Sequence, residues 1–282
     1  RRYVYLNKKT TEVCMNIIFV SDIDGTLLKT NTDLPANVIE SSKAFVLSGG
    51  GFAICTGRSV EAARYIAEQL PINLPCILLG GSIIYDYTTN TFIQKRSMDS
   101  SIRHSLNAIM TAYPTVSVNV YTESHIYIIK TNSILLEKGV YEDRSAPIIP
   151  LDEVSGELYK ILLTSEDPEI LKHIAASDID SRLFDITFAS THFYEITARG
   201  ANKGSALSFL KEHSENHNAV CHVAGDGGTD LAMRPYADIF YAPETASEIV
   251  RSKADFIFPS PALGGISVAF QNSTLLLNSK RQ

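Results

Sequence analysis

The sequence lacks the long apolar segments that membrane and secreted proteins carry. Among its 282 residues, no apolar run approaches the roughly 18 residues that a membrane-spanning helix needs. The first fourteen residues are basic but contain neither the apolar segment nor the cleavage site of a signal peptide. We therefore expect no association with a membrane.

Cysteine is scarce, and its four copies are not arranged for cross-linking or metal binding. Cys14, Cys55, Cys76 and Cys221 are scattered, mostly within apolar runs, and form no CxxC pair. The seven histidines likewise show no metal-ligand spacing such as HExxH. This pattern predicts buried, reduced thiols and a cytoplasmic location.

The sequence also lacks the basic excess that is typical of nucleic-acid-binding proteins. Its 25 lysines and arginines are outnumbered by 31 aspartates and glutamates, which gives a formal net charge of −6 at pH 7. We therefore expect no nucleic-acid partner. The hydrophobic fraction of 45% is normal for a globular protein with a full-sized core. Nothing in the sequence indicates the oligomeric state.

What the sequence does contain is an alternation of short apolar runs with helical patterns. The apolar runs lie at residues 17–20, 52–55, 76–79, 219–223, 239–241 and 256–258. Strands that alternate with helices in this way predict an α/β fold with a parallel sheet and crossover helices. The polar sequence from Gln271 onward predicts a frayed end of the chain.

Residues 83–197 interrupt this alternation with short strand-like runs and few long helices, which predicts an inserted α+β unit. The predicted organisation is an N-terminal extension of residues 1–14, a core of residues 15–82 and 198–282, and an insert of residues 83–197. The short connections at 80–82 and 198–201 contain glycine, as the hinges of a lid often do.

Two carboxylates stand directly after the first apolar run. Asp22 and Asp24 lie just past the run of residues 17–20, where open α/β sheets place their ligand sites. Two neighbouring acids repel each other unless a cation lies between them, and a small set of hard oxygen ligands suits Mg²⁺. A solvated Asp-x-Asp-Gly turn would give the same pattern. A calcium loop fits poorly, because its twelfth position is Asp33 rather than Glu.

Other polar clusters also follow an apolar run or open a helix. They are Thr56 with Gly57 after the second run, Lys203 after the insert, and Asp226 with Asp230 after the run of residues 219–223. If their strands are neighbours, all the clusters meet at one edge of the sheet. Carboxylates, a lysine, a hydroxyl and glycine-rich turns can bind a metal and a phosphate, with one carboxylate available as nucleophile.

Taken in order, these clusters resemble the four motifs of the haloacid dehalogenase superfamily of phosphatases. The segment DIDGT resembles the first motif, CTGR the second, ANKG the third and GDGGTD the fourth. The position of the insert, between the second and third motifs, resembles the Cof-type branch (subfamily IIB), which includes sucrose-phosphate phosphatases. The resemblance covers residues 15–270 and implies a Rossmann-like parallel-sheet core with an inserted α+β cap domain.

The resemblance implies that a phosphate monoester is hydrolysed through an aspartyl-phosphate. Asp22 would attack phosphorus, a known use of a carboxylate nucleophile. Asp24 would protonate the leaving oxygen and then deprotonate the attacking water. Thr56, Gly57 and Lys203 would bind the phosphoryl group.

The implied metal is Mg²⁺. It would be held by the carboxylates of Asp22 and Asp226 and by the backbone carbonyl of Asp24. Asp230 would ligate it through water or orient Lys203.

Each of these residues also has a simpler interpretation. Thr56 could cap the helix that follows it, and Lys203 could be a solvated surface charge. Asp226 and Asp230 could be a turn residue and a first-turn acid that suits the helix dipole. Arg58 fits a salt bridge or a substrate contact equally well, so we assign it no catalytic role.

The sequence departs from the family pattern at two places. Relatives usually carry Asn where this chain has Thr229, and Asn-Gly where it has Gly80-Gly81. Thr can accept and donate one hydrogen bond but cannot donate two protons as an amide does. Neither departure removes the nucleophile, the acid or a metal ligand.

We expect a small phosphate ester, most simply a sugar phosphate, because a lid of this size would enclose it whole and exclude a folded protein. Four polar residues of the insert are candidates for contacting its hydroxyls, or for a solvated strand face: Tyr121, Glu123, His125 and Tyr127. The alternatives are a phosphotransferase or phosphomutase that uses the same intermediate, and a non-catalytic metabolite-binding protein. Retention of both Asp22 and Asp24 argues against the last.

Overall fold

The computed structural model describes residues 17–30, 32–213 and 218–279. The extension predicted for residues 1–14 lies outside the described residues. The strands are β1 (Ile17–Ser21), β2 (Gly51–Ile54), β3 (Cys76–Leu78), β4 (Ile83–Asp86), β5 (Thr91–Lys95), β6 (Ser117–Tyr121), β7 (Ile126–Lys130), β8 (Lys160–Thr164), β9 (Phe184–Ser190), β10 (Phe193–Ala198), β11 (Val220–Ala224), β12 (Ile239–Pro243) and β13 (Phe256–Phe258).

Helices connect and cover these strands. They are α1 (Ala36–Leu47), α2 (Val60–Ala67), α3 (Ile102–Ala112), α4 (Ser133–Lys138), α5 (Tyr141–Arg144), α6 (Pro168–Ser177), α7 (Lys203–His213), α8 (Glu248–Arg251) and α9 (Ser267–Ser279). Across the described part of the chain, every helix is too short or too polar to span a bilayer.

Five strands form the central parallel sheet, in the order β13-β12-β11-β1-β2. Ser21, the last residue of β1, lies opposite Ala224 of β11 on one side and Ile54 of β2 on the other. The carboxyl ends of these three strands are therefore side by side. This arrangement confirms the predicted α/β fold with a parallel sheet.

Both faces of this sheet are buried along β1, β2, β11 and β12, which explains why these strands read as continuous apolar runs. On one face, Phe19 packs with Phe45 of α1 and Phe270 of α9, and the ring centres of Phe19 and Phe270 are 4.5 Å apart. On the other face, the alternate residue Val20 packs with Leu207 of α7. Helices on both faces hold the sheet edge that carries the predicted site.

Residues 83–95, which the sequence pattern assigns to the insert, form the hairpin β4-β5, and β4 pairs antiparallel with β3. A parallel bridge between Cys55 and Ile77 joins β3 to the end of β2. Ile83 and Ile84 are buried in the two clusters of the central sheet. We propose that the insert begins after β5 rather than at Ile83.

The insert itself is an antiparallel sheet in the order β7-β6-β8-β10-β9. Ile161 of β8 packs with Leu106 of α3 and Leu171 of α6 on one face. Because successive side chains of a strand point to opposite faces, Lys160 and Leu162 project from the other face. Leu162 joins the apolar cluster of the central sheet, so this second face is turned toward the core.

The frayed end predicted from Gln271 is wrong, because α9 continues to Ser279. Phe270, Ser273 and Leu277 are buried at helical spacing, and they anchor the helix against the sheet. The polar residues between them concealed this spacing in the sequence.

Candidate functional site

A cavity of about 380 Å³ lies between the carboxyl ends of β1, β2 and β11 and the inward face of the insert's sheet. All the site residues predicted from the sequence line it: Asp22, Asp24, Thr56, Gly57, Lys203, Asp226 and Asp230. The insert contributes Lys160, Leu162, Phe193 and Glu195 from β8 and β10. The structure therefore brings the four motifs together and faces them with one side of the insert.

Lys203 lies between two carboxylates at the base of this cavity. Its ammonium donates to Asp22 Oδ1 and to Asp230 Oδ1, both at 2.7 Å, and its side chain is only 4% exposed. Burial alone would lower the pKa of Lys203, but the charges of Asp22 and Asp230 outweigh burial and raise it. Lys203 is thus a buried, charged residue and not the solvated surface lysine that the sequence also allowed.

Asp22, Asp226 and Asp230 form a cluster that could hold a cation. One carboxylate oxygen from each lies within 4.8 Å of the others. The backbone N–H groups of Asp226 and Gly227 donate to Asp230 Oδ2 at 3.0 and 2.9 Å, which fixes that carboxylate. Gly25 makes the close packing possible, because an added Cβ would lie 2.4 Å from Asp226 Oδ2.

The charge balance of this cluster favours a divalent cation. Three carboxylates face the single ammonium of Lys203. Burial, together with the nearby charge of Asp230, raises the pKa of the Asp226 carboxyl to about 7. Burial also raises the pKa of Asp22. A bound cation would stabilise the ionised carboxylates, and oxygen ligands of this kind fit Mg²⁺.

The side chain of Asp24 lies apart from this cluster and is paired with Arg58. Arg58 Nε donates to Asp24 Oδ2 at 2.7 Å and Nη2 donates to Oδ1 at 2.8 Å. The remaining nitrogen, Nη1, donates to Glu142 Oε1 of α5 at 2.9 Å. Arg58, to which the sequence assigned no role, therefore connects Asp24 to the insert.

Thr56 is placed by the backbone and does not cap the following helix. Its N–H donates to the carbonyl of Ile77 at 2.9 Å, and its Oγ1 accepts from the N–H of Arg58 at 3.2 Å. The helix α2 is capped instead by Ser59, whose Oγ accepts from the N–H of Ala62. Because Thr56 Oγ1 accepts from the N–H of Arg58, its own hydroxyl proton points away from that N–H.

Two further charged residues of the cavity, Lys160 and Glu195, were missed at the sequence level. They form an ion pair of 2.9 Å, and Lys160 is 3% exposed. A lysine inside the apolar strand LYKILLT was the signal that could have revealed them. The four polar insert residues expected to contact a substrate do not line the cavity among the described residues.

The two departures from the family pattern also lie at the site. Thr229 lines the cavity next to Asp230. Gly80 adopts a left-handed conformation, with φ of 66°, and an added Cβ would lie 3.5 Å from Glu195 Oε2.

Residues 19–270 match the family model of the haloacid dehalogenase-like hydrolases. A curated relative, the 5-amino-6-(5-phospho-D-ribitylamino)uracil phosphatase YwtE of Bacillus subtilis (strain 168), is 25% identical over 272 residues, covering 87% of this chain and 94% of its own. The fold is similar to that of the HAD subclass IIB sugar phosphatase BT4131 (TM-score 0.76, 22% identity, 90% of this chain and 98% of that one). It is also similar to TM0651 from Thermotoga maritima (TM-score 0.73, 21% identity, 92% and 97%).

Proposed function

Because the chain belongs to the haloacid dehalogenase-like hydrolases, in their Cof-type branch, we propose that it is a Mg²⁺-dependent phosphatase of small phosphate esters. It is a phosphoric monoester hydrolase of that type, and we propose that it works through an aspartyl-phosphate on Asp22. The observation that carries this proposal is the convergence of Asp22, Lys203, Asp226 and Asp230 at one end of the cavity, with Asp24 held separately by Arg58. Because Asp22 and Asp24 have different partners, one can act as nucleophile while the other acts as acid and base.

The reaction has two steps. In the first, a carboxylate oxygen of Asp22 forms a bond to phosphorus while the bond to the leaving oxygen breaks, and protonated Asp24 gives its proton to that oxygen. In the second, water attacks phosphorus, the bond to Asp22 breaks, and Asp24 takes the proton from the water. In the structure, Arg58 holds the carboxylate of Asp24 in one orientation.

The phosphoryl oxygens need donors that are already in place. Residues 56–58, here called the phosphate-binding turn, would supply two such donors: the hydroxyl of Thr56 and the backbone N–H of Gly57. Lys203 would contribute positive charge where negative charge builds up in the transition state. Its position between Asp22 and Asp230 supports this role, because the ammonium cannot move far without leaving a buried carboxylate unpaired.

Mg²⁺ would be held by the carboxylates of Asp22 and Asp226 and by the backbone carbonyl of Asp24. Asp230 would bind it directly or through water. When bound, the ion offsets the repulsion between the anionic nucleophile and the anionic phosphoryl group. Removal of metal with EDTA should abolish activity, and Mg²⁺ should restore it. Ca²⁺ should not, since it takes more ligands in a looser geometry. Equal activity with Ca²⁺ would contradict this site.

A sugar phosphate or a similar polyhydroxylated ester is the substrate that the cavity suits best. The cavity of about 380 Å³ can enclose a molecule of that size, but not a folded protein chain. Glu142 offers a carboxylate oxygen to hydroxyl groups, beside the apolar side chains of Leu162 and Phe193. Two similar proteins are named as phosphatases of a phosphoribityl compound and of sugars, both rich in hydroxyls.

The experiment is a panel of phosphate esters assayed with Mg²⁺ and without an added acceptor. It includes hexose and pentose phosphates, a phosphoribityl compound, p-nitrophenyl phosphate and an intact phosphoprotein. We expect phosphate release from the polyhydroxylated esters and none from the phosphoprotein. Release that depends on an added sugar acceptor would favour a phosphotransferase, and no turnover of any ester would favour a binding protein.

A further inference from the structure

Lys160 is a buried lysine of the insert whose ammonium contacts the core. Its Nζ donates to the backbone carbonyl of Gly57 at 2.7 Å and to Glu195 Oε1 at 2.9 Å. The same nitrogen lies 4.2 Å from the centre of the Tyr121 ring, within the range of a cation–π interaction. A side chain that is 3% exposed and held by three groups has a fixed position.

The carbonyl that Lys160 holds belongs to a peptide unit of the phosphate-binding turn. The other end of that peptide unit is the N–H of Arg58, which donates to Thr56 Oγ1 at 3.2 Å. The unit is therefore held at both ends, by Lys160 from the insert and by Thr56 from the core. Its orientation sets the direction from which the N–H of Arg58 reaches Thr56 Oγ1, and with it the directions left for the hydroxyl proton of Thr56. It also sets the direction in which the Arg58 side chain leaves the backbone.

We propose that Lys160 is a positioning residue, which orients the Gly57–Arg58 peptide and through it Thr56, so that the phosphate-binding turn is complete only when the insert lies against the core. The proposal rests on the phosphatase function proposed above. Glu195 holds Lys160 in place, and Tyr121 covers it on one side. Arg58 gives the turn a second link to the insert through Glu142.

Lys160 does not act by contacting the substrate directly. An ammonium has three donors, and here two of them are used by Gly57 and Glu195 while the ring of Tyr121 lies against the same nitrogen. Releasing Lys160 toward a ligand would leave Glu195 as a largely buried, unpaired carboxylate, which is costly. Its effect on catalysis should therefore be independent of the leaving group.

The test compares Lys160→Met with the wild type on two esters, a sugar phosphate and p-nitrophenyl phosphate, whose leaving group has no sugar hydroxyls. Methionine keeps the apolar stem and removes the charge. We expect kcat/KM to fall by about 10- to 100-fold, and by the same factor for both esters, since small misplacements of reacting groups have effects of this order. Most of the fall should be in kcat, because Thr56 acts mainly in the transition state.

Lys172→Met is the matched control, because Lys172 forms an exposed ion pair with Glu169 on the surface of the same insert. Lys172→Met should leave kcat/KM unchanged for both esters. Inorganic phosphate, measured as a competitive inhibitor, should bind only slightly less tightly to Lys160→Met than to the control, because the loss lies mainly in the transition state.

Glu195→Gln keeps the test decisive if Lys160→Met does not fold. The amide still accepts a hydrogen bond but holds the ammonium more weakly, so we expect a smaller loss, again equal for both esters. Where both single variants fold, the double variant should lose no more than Lys160→Met alone, since the two residues act on the same peptide.

Two outcomes would overturn the proposal while leaving the phosphatase function intact, as shown by wild-type turnover. One is unchanged kcat/KM in both variants. The other is a loss for the sugar phosphate alone, which would make Lys160 a direct contact of the leaving group.

Discussion

Arg58 binds both carboxylate oxygens of Asp24, with Nε 2.7 Å from Oδ2 and Nη2 2.8 Å from Oδ1. Such a bidentate pair fixes the plane of a carboxylate as well as its position. The third nitrogen of the same guanidinium reaches Glu142 of the insert. The residue proposed as general acid and base is thus oriented by a core arginine that is itself attached to the insert.

Replacing Arg58 by Met should lower kcat by about 10- to 100-fold, because Asp24 would lose its fixed orientation and general acid–base catalysis contributes about that much or more. KM should change less. Arg64→Met is the control, since Arg64 forms a comparable but exposed pair with Glu61 on the next helix. The measurement is steady-state kinetics on a sugar phosphate, whose leaving oxygen must be protonated by Asp24. A kcat equal to that of Arg64→Met would show that Arg58 does not position Asp24.

The sequence was sufficient to predict the residues that stand directly after strands. Asp22, Thr56 and Asp226 each follow an apolar run, and parallel strands bring their carboxyl ends to one edge. The links between insert and core were not predictable in this way. Arg58 and Glu142 are 84 residues apart, and Gly57 and Lys160 are 103 apart. Such pairs depend on how one sheet lies against another, which no local pattern encodes.

The hairpin of residues 83–95 illustrates the same limit. Its alternating pattern predicts strands equally well in the core or in the insert, and only pairing with β3 decides between them. Ser82 adds a further tie at this junction, because its hydroxyl donates to the carbonyl of Tyr159 at 2.8 Å. We therefore propose that the change of rhythm in the sequence lies about one hairpin before the start of the insert.

Gly81 and Gly80 should respond very differently to substitution. At Gly81, φ is 108° and an added Cβ would lie 2.3 Å from the backbone of Asn202, so Gly81→Ala should lower the free energy of unfolding by about 2–4 kcal/mol. Gly80→Asn should cost at most ~1 kcal/mol, since Asn tolerates the left-handed conformation and its Cβ would meet Glu195 Oε2 at an ordinary contact distance of 3.5 Å. Urea unfolding of both variants is the measurement. Equal stability losses would contradict the close contact with Asn202.

The thiols of Cys55, Cys76 and Cys221 should be unreactive in the folded protein. All three are buried, and burial raises the pKa of Cys76 and of Cys221 to about 12 and that of Cys55 as well. The thiolate is the reactive form, so little of it exists at pH 8. In a Cys14→Ser variant, a disulfide reagent such as dithiobis-nitrobenzoate should label these thiols only after denaturant is added. Rapid labelling of the native protein would show that at least one is accessible.

The proposed mechanism depends on an aspartyl-phosphate at Asp22, and this intermediate can be trapped. Asp24→Asn should still accept a phosphoryl group from p-nitrophenyl phosphate, whose leaving group needs no proton, but should hydrolyse the intermediate slowly. After acid quenching, peptide mass spectrometry should find one phosphoryl group per chain on Asp22, and none when Asp22→Asn is added. Phosphorylation of another residue, or none at all while phosphate is still released, would show that Asp22 is not the nucleophile.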